Sequence, residues 1–166
     1  MCERRKDMSA GVMSAKDTLY GASASCYAVI SGKRYNFANV IKLEAKAEKN
    51  KTKVPILGKV AKGNKASGVE YSGSMTLHYN SSIMREMMLN YTKNGTDTYF
   101  DIQVTNEDKT SGVGRQTVTL YDCNIDSIIL AKFDADGDYL DEDCDFTFED
   151  WDLPEKFTQL SVFTAV

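Results

Sequence analysis

The sequence predicts a mainly β fold, an antiparallel β-barrel or sandwich of about seven or eight strands with one flanking α-helix near residues 82–94. Three observations carry this expectation. Apolar and polar residues alternate with period two through most of the chain, one segment alone has the spacing of an amphipathic helix, and the stretches between are rich in Gly, Asn, Asp and Ser. At 166 residues, 42% apolar and 27% charged, the chain is about one ordinary domain long and has a globular composition.

Taken in order, Cys26, Ala28 and Ile30 alternate with Tyr27 and Val29, and Ser31-Gly32-Lys33-Arg34 reads as a turn. From there Ile41, Leu43, Ala45 and Ala47 share one face, and Lys42, Glu44, Lys46 and Glu48 the other. A helix would spread those two sets around its circumference, whereas a strand separates them. Asn50-Lys51 is expected to turn the chain and Thr52–Leu57 to return it, giving a hairpin over 38–57. Gly58–Val69, rich in Gly, Lys, Asn and Ser, reads as a mobile basic loop.

Tyr71, Gly73, Met75, Leu77 and Tyr79 alternate with Ser72, Ser74, Thr76, His78 and Asn80, a half-buried strand. The helix follows, with Ser82 as its N-cap, Ile83, Met84, Met87, Met88 and Tyr91 as one apolar stripe, and Gly95 as its left-handed stop. Thr98–Thr105 reads as a strand with Phe100, Ile102 and Val104 on one face, and Asn106–Gly114 as a loop. Arg115–Tyr121 and Asn124–Lys132 read as two strands. Asp134–Asp138 turns the chain into a last long strand, Tyr139–Trp151, with Phe146 and Phe148 inward, and Pro154–Val166 lies over the surface. The expected division is a flexible N-terminal arm over 1–20, a β domain over 21–157 and a C-terminal tail over 158–166.

The chemistry is sparse. His78 is the one histidine and sits on the polar side of its strand, with no nucleophile and acid patterned around it, so no catalytic residue is expected. No phosphate-binding glycine loop is present. Cys2, Cys26, Cys123 and Cys144 lack the short spacing of a zinc site, and the last three fall in alternating stretches as core or half-buried residues. Asp134, Asp136 and Asp138 open a segment with carboxylates at alternate positions, as a calcium loop has. Its glycine, however, stands too early, and Asp145 replaces the bidentate glutamate. A solvated acidic turn is therefore expected, with no metal and no cofactor. The basic stretch from Lys42 to Lys65 lacks interleaved aromatics, which argues against tight nucleic-acid binding. No stretch approaches the roughly 18 apolar residues of a membrane span, so no membrane partner is expected.

The charge is unevenly placed. Residues 1–66 hold 14 Lys/Arg against 5 Asp/Glu, and residues 67–166 hold 6 against 19. Solvated faces produce such a split by accident. Head-to-tail association, with a basic surface of one copy against an acidic surface of the next, produces it by design.

Several segments form a familiar ordered set: Leu43-Glu-Ala-Lys-Ala-Glu-Lys49, Ala66-Ser67-Gly68, Tyr71-Ser-Gly-Ser-Met-Thr-Leu-His-Tyr79, Tyr99-Phe-Asp-Ile-Gln-Val-Thr-Asn-Glu-Asp108, Gly114-Arg-Gln-Thr-Val118 and Asp145-Phe-Thr-Phe-Glu-Asp-Trp-Asp152. Over residues 25–157 the chain resembles the tail tube proteins of PBSX-type contractile phages and phage-derived bacteriocin particles. That resemblance implies a non-enzymatic subunit that joins copies of itself into hexameric rings, stacked into a tube around a lumen. It also implies a sheath, a tape-measure protein and a baseplate as partners, DNA only in transit, assembly in the bacterial host cytoplasm and residence in a virion tail or phage-like particle. A tube-terminator or baseplate hub protein of the same fold is the alternative, and a calcium-assisted binding module a more distant one. The residues expected at self-assembly surfaces are Lys42, Glu44, Lys46, Glu48, Lys51, Lys53, Lys59, Lys62 and Lys65 on the hairpin and loop, with Asp134, Asp136 and Asp138 on the acidic turn.

Overall fold

A computed structural model of the chain describes residues 12–160 and 162. Cys2 and the first eleven residues of the expected arm lie outside them, as does most of the last stretch of the tail. After two short 3-10 turns, Ala15–Asp17 and Gly21–Ser23, the described elements are β1 (Ala24–Ile30), β2 (Lys33–Asn36), β3 (Val40–Val54), β4 (Gly63–His78), α1 (Ile83–Asn94), β5 (Phe100–Glu107), β6 (Arg115–Ile128), β7 (Asp141–Thr147) and β8 (Asp150–Glu155). The strands pair antiparallel in the order β2-β1-β5-β6-β7-β4-β3, and β8 also pairs with β6.

The strand β6 belongs to two layers. Its first part lies between β5 and β8, and its second part pairs with β7. One layer is thus β2-β1-β5-β6-β8 and the other β6-β7-β4-β3. Their inner faces share one core, in which Ala28, Ile30, Phe100, Ile102 and Leu120 meet Met75, Leu77, Cys144 and Phe146. This is the expected β-sandwich with a flanking helix.

Two boundaries differ from the sequence reading at the fold's corner. Arg115–Tyr121 and Asn124–Lys132 are not two strands: β6 is continuous to Ile128. Asp122 takes a positive φ of 52°, and the register slips there, with Ile102 opposite Leu120 but Phe100 opposite Cys123. The extra residue is a bulge that bends β6 from one layer into the other, and the Asp101 carboxylate accepts the Asp122 N–H at 3.1 Å. Conversely, the expected strand Tyr139–Trp151 starts at Asp141 and is interrupted at Phe148-Glu149. β7 and β8 nevertheless run in sequence along the same partner, from Ile128↔Cys144 to Thr117↔Glu155. Both members of this ribbon turn the corner together. Pro154, assigned to the tail, lies in β8, an edge strand where a missing N–H is tolerated.

The hairpin is longer than expected. Asn50-Lys51 does not reverse the chain, because β3 continues to Val54 and Gly63–Val69, read as a loop, forms the first half of β4. A bulge absorbs the irregularity, since Asn50 faces Gly68 while Lys51 faces Ala66. The reversal comes at Pro55, which offers no N–H to continue β3. Ile56–Lys59 forms a turn closed by the Lys59 N–H on the Ile56 carbonyl (3.1 Å), with Gly58 at φ 81° as its left-handed residue.

Cross-strand rows explain how the hairpin base packs. Leu43, Met75 and Cys144 form one row, and Ala45, Gly73 and Phe146 the next. The Phe146 ring lies over Gly73, so closely that a Cβ there would fall 2.4 Å from the ring. Tyr71 stacks on Phe148 with centroids 5.1 Å apart.

The helix α1 begins and ends close to where expected. Gly95, at φ 67°, donates its N–H to the Tyr91 carbonyl at 2.9 Å. Ser82 does not cap with its side chain; the Ser81 hydroxyl accepts the Ile83 N–H instead. Met84 is buried and Ile83 and Met87 pack on the core, whereas Tyr91 faces solvent. The flanks of the domain are held by the 108–113 loop. Tyr20 N–H donates to Asp108, Ser111 hydroxyl to the Asp17 carbonyl, and Thr158 N–H to the Val113 carbonyl.

Acid sensitivity follows from the β6–β8 seam and two loops. The Thr117 hydroxyl, then Arg115, holds the Glu155 carboxyl below its usual range. Lys132 does the same for Asp141, and the Thr110 and Tyr20 backbone N–H groups for Asp108. A carboxyl lowered in the folded state contributes stability above its unfolded pKa and loses it as pH falls through the folded one. Denaturant midpoints are therefore expected to hold from neutrality down to the ordinary carboxylate values of 4.5 and 3.8 and to decline below them. Thr117→Val should flatten that decline, measured as midpoint against pH.

Candidate assembly surfaces

β4 is hydrogen-bonded on both sides only from Ser72 to His78, where β7 joins it. From Gly63 to Tyr71 its one neighbour among the described residues is β3, and β3 is itself the end of its layer. The outer hairpin is thus a two-stranded ribbon, exposed on nearly every side chain from Glu44 to Val54. An isolated two-stranded ribbon is marginal in water, and a long unpaired edge is a surface for another chain.

The ribbon is strongly basic at its end. All six charged residues between Glu48 and Glu70 are lysines: Lys49, Lys51, Lys53, Lys59, Lys62 and Lys65. Thr52 stands opposite Lys65 and Lys53 opposite Asn64, so the lysines sit on both faces of the tip. None forms an ion pair among the described residues. Nearer the body, Lys42 pairs with Glu44 at 3.7 Å and Lys46 with Glu48 at 4.0 Å. These pairs are solvent-exposed and contribute little to stability. The expected hairpin residues therefore fall into two sets, a locally neutralised base and an unneutralised tip.

The tip is also apolar, which the sequence reading missed. Leu57 and Val60 are fully exposed, and Val54 and Ile56 partly so. The signal was legible: Val54-Pro-Ile-Leu-Gly-Lys-Val60 puts four apolar residues in a turn that has no sheet to bury them.

Asp134, Asp136 and Asp138 lie at the opposite end of β4. Their loop, 129–140, leads into β7, whose Asp141 faces His78, and Tyr139 packs edge-on to His78 at 5.8 Å. Sixteen residues of β4 at about 3.3 Å each set the basic tip and the acidic loop on the order of 50 Å apart along the strand. The Asp134 carboxylate accepts the Asp136 N–H at 3.1 Å, a local turn bond. Among the described residues no three His, Cys, Asp or Glu side chains converge as a metal site. Leu130, Phe133 and Tyr139 are exposed in this loop. Beside it, α1 and the end of β6 form an open groove of about 540 Å³, lined by Met88, Leu89, Ile128, Leu130 and Asp126.

A buried ion pair fixes α1 against this end of the sandwich. Glu142, 3% exposed, accepts from Arg85, whose guanidinium also donates to the Ser81 and Ile129 carbonyls and lies 4.2 Å from the centre of the Tyr79 ring. The thiols are chemically quiet: burial pushes Cys26 up to about 11 and Cys123 and Cys144 up to about 12. They are free and sit in or beside the core, as their alternating positions suggested.

Comparison with known proteins agrees with these features. The model of a family described as phage tail tube protein matches residues 11–155, ending where β8 ends. The phage-like element PBSX protein XkdM of Bacillus subtilis (strain 168) is 41% identical over 121 residues, covering 73% of this chain and 82% of that protein. YqbM of the same organism is 41% identical over 119 residues, covering 72% and 81%. In fold, the chain is similar to the SPP1 tail tube (TM-score 0.59, 9% identity, 90% of this chain and 87% of that one). It is also similar to a chain of the PVC sheath–tube complex of an extracellular contractile injection system (TM-score 0.58, 8% identity, 77% and 86%). With that family model covering the whole sandwich, and the XkdM identity extending over most of it, the chain belongs to the phage tail tube protein family.

Proposed function

We propose that copies of this chain close into hexameric rings and that the rings stack into the tube of a contractile phage-like tail. The observation that carries this reading is the opposite character of the two ends of β4: an unneutralised lysine tip at one and an acidic loop at the other. Such a heterologous, self-complementary pair cannot be satisfied within one copy and propagates when copies are stacked. The free edge of β3 supplies the second need, a strand edge to join neighbours within a ring. In this reading, Lys51, Lys53, Lys59, Lys62 and Lys65 face Asp134, Asp136 and Asp138 of the stacked copy. Lys42, Glu44, Lys46 and Glu48 lie along the edge between ring neighbours. The domain over 21–157 forms the ring, and the flanking arm and tail are the parts outside it.

A sheath outside, a tape-measure protein inside, a baseplate at one end and DNA in transit are the partners this role implies, with assembly in the bacterial host cytoplasm. The role is structural, without an active site. Negative-stain microscopy of the purified protein tests it: long cylinders are expected. Single rings that never extend would favour a tube terminator or baseplate part of the same fold. Changing Lys51, Lys53, Lys59, Lys62 and Lys65 together to Glu is expected to abolish cylinders while leaving the circular dichroism of the folded subunit unchanged. Cylinders that form as before would overturn the assignment of these lysines. High salt should weaken stacking in the same direction, because these charges are exposed and screened.

A further inference from the structure

We propose that the apolar hairpin tip of one copy, led by Leu57 and Val60, seats in the groove between α1 and the end of β6 on a second copy. The inference deepens the stacking reading above and rests on it. Lysine charge alone does not account for the tip. Leu57 and Val60 stand fully in water beside partly exposed Ile56 and Val54, and a ribbon end has no reason to place four apolar side chains there unless something covers them.

The groove has the matching character. Met88 and Leu89 of α1 form one wall, and Ile128 at the end of β6 with Leu130 of the following loop the other, and Leu89 and Leu130 are both exposed. Its volume of about 540 Å³ is in the range that accepts a small cluster of side chains.

Charge selects the occupant. Asp126 lines the groove, and Asp134, Asp136 and Asp138 follow Leu130 in the loop that leads away from it, while the tip carries Lys53, Lys59 and Lys62. Two cations near the groove are already engaged, Arg85 by Glu142 and Lys132 by Asp141 at 2.7 Å. A basic, apolar knob thus faces an acidic, apolar socket carried at the opposite end of β4. A second copy of this chain brings the knob within reach where the first copy's own hairpin points away. The fixed position of α1, held by the Arg85–Glu142 pair, keeps the socket formed before the partner arrives.

The test uses the full chain with Cys2→Ser, since the three remaining thiols are core-associated and poorly ionised. Leu57→Cys and Leu89→Cys are made as separate proteins with tags of different size, mixed, assembled and oxidised with copper phenanthroline. Both positions are exposed, so folding is not at stake. A disulfide-linked heterodimer is expected in the assembled fraction of the mixture, in large excess over homodimers of either variant. Independently, Leu57→Asp should raise the protein concentration needed for cylinders by at least about tenfold, the loss expected when a leucine no longer leaves water. Cylinders that form without the heterodimer, with Leu57→Asp assembling normally, overturn this docking and leave the stacked tube standing. A parent protein that stays monomeric at every concentration overturns both.

Discussion

Arg85→Ala is expected to lower the unfolding free energy by about 3–5 kcal/mol, the usual cost of stranding one partner of a buried ion pair. The carboxylate left behind, Glu142, is 3% exposed, and it is paired with the guanidinium that the mutation removes. Removing Arg85 also takes donors from the Ser81 and Ile129 carbonyls and the cation from the face of Tyr79. Glu142→Gln should cost less, because the Arg85 side chain is partly exposed and keeps its two carbonyl acceptors. For a domain of this size such a loss lowers Tm by roughly 10 °C. Urea unfolding of the two single variants and of Arg85→Met with Glu142→Leu distinguishes the cause. The double apolar replacement should recover most of the loss, since neither charge is left stranded. Equal losses in all three would mean that the pair contributes through packing alone.

Phe146→Ala is the second large effect, about 3–5 kcal/mol, as for other fully buried aromatic side chains. Phe146 is 0% exposed and spans the row from Gly73 toward Ala45, so its removal leaves a cavity lined by two residues too small to fill it. Gly73→Ala is expected to cost about 1–3 kcal/mol from the opposite direction, by overpacking against the ring. The two are coupled: the double variant should be less destabilised than the sum, because the added methyl enters space the ring vacated. Strict additivity in denaturant unfolding would show that the ring and the glycine do not share that space.

These two predictions concern parts of the molecule of unequal legibility. Phe146 was readable as a core residue, because alternation in Tyr139–Trp151 puts it and Phe148 on one face, and both are buried. The role of Gly73 was not, because it depends on which strand lies beside it. Arg85 and Glu142 are 57 residues apart and gave no local signal. Met84, by contrast, follows directly from helical spacing.

The assembly surfaces divide in the same way. The lysines and aspartates were visible as charge, and the excess of one sign in each half of the chain was a matter of counting. Their separation was not, because it depends on β4 running unbroken from Gly63 to His78 and carrying one set at each end. The turn expected at Asn50-Lys51 failed because a bulge in the ladder accommodates those residues as well as a turn does, and local sequence does not rank the two.

The sequence by itself determined the β class, the flanking α-helix with its Gly95 stop, the inward faces of the main strands and the family, since period and motif order are local properties. Only the tertiary structure decided that β6 bends at Asp122 to serve both layers, that β7 and β8 follow it around the corner, and that the hairpin projects as a ribbon with an apolar tip. Those outcomes depend on which distant strands meet and which side chains remain without a neighbour, and burial is settled by the whole chain together.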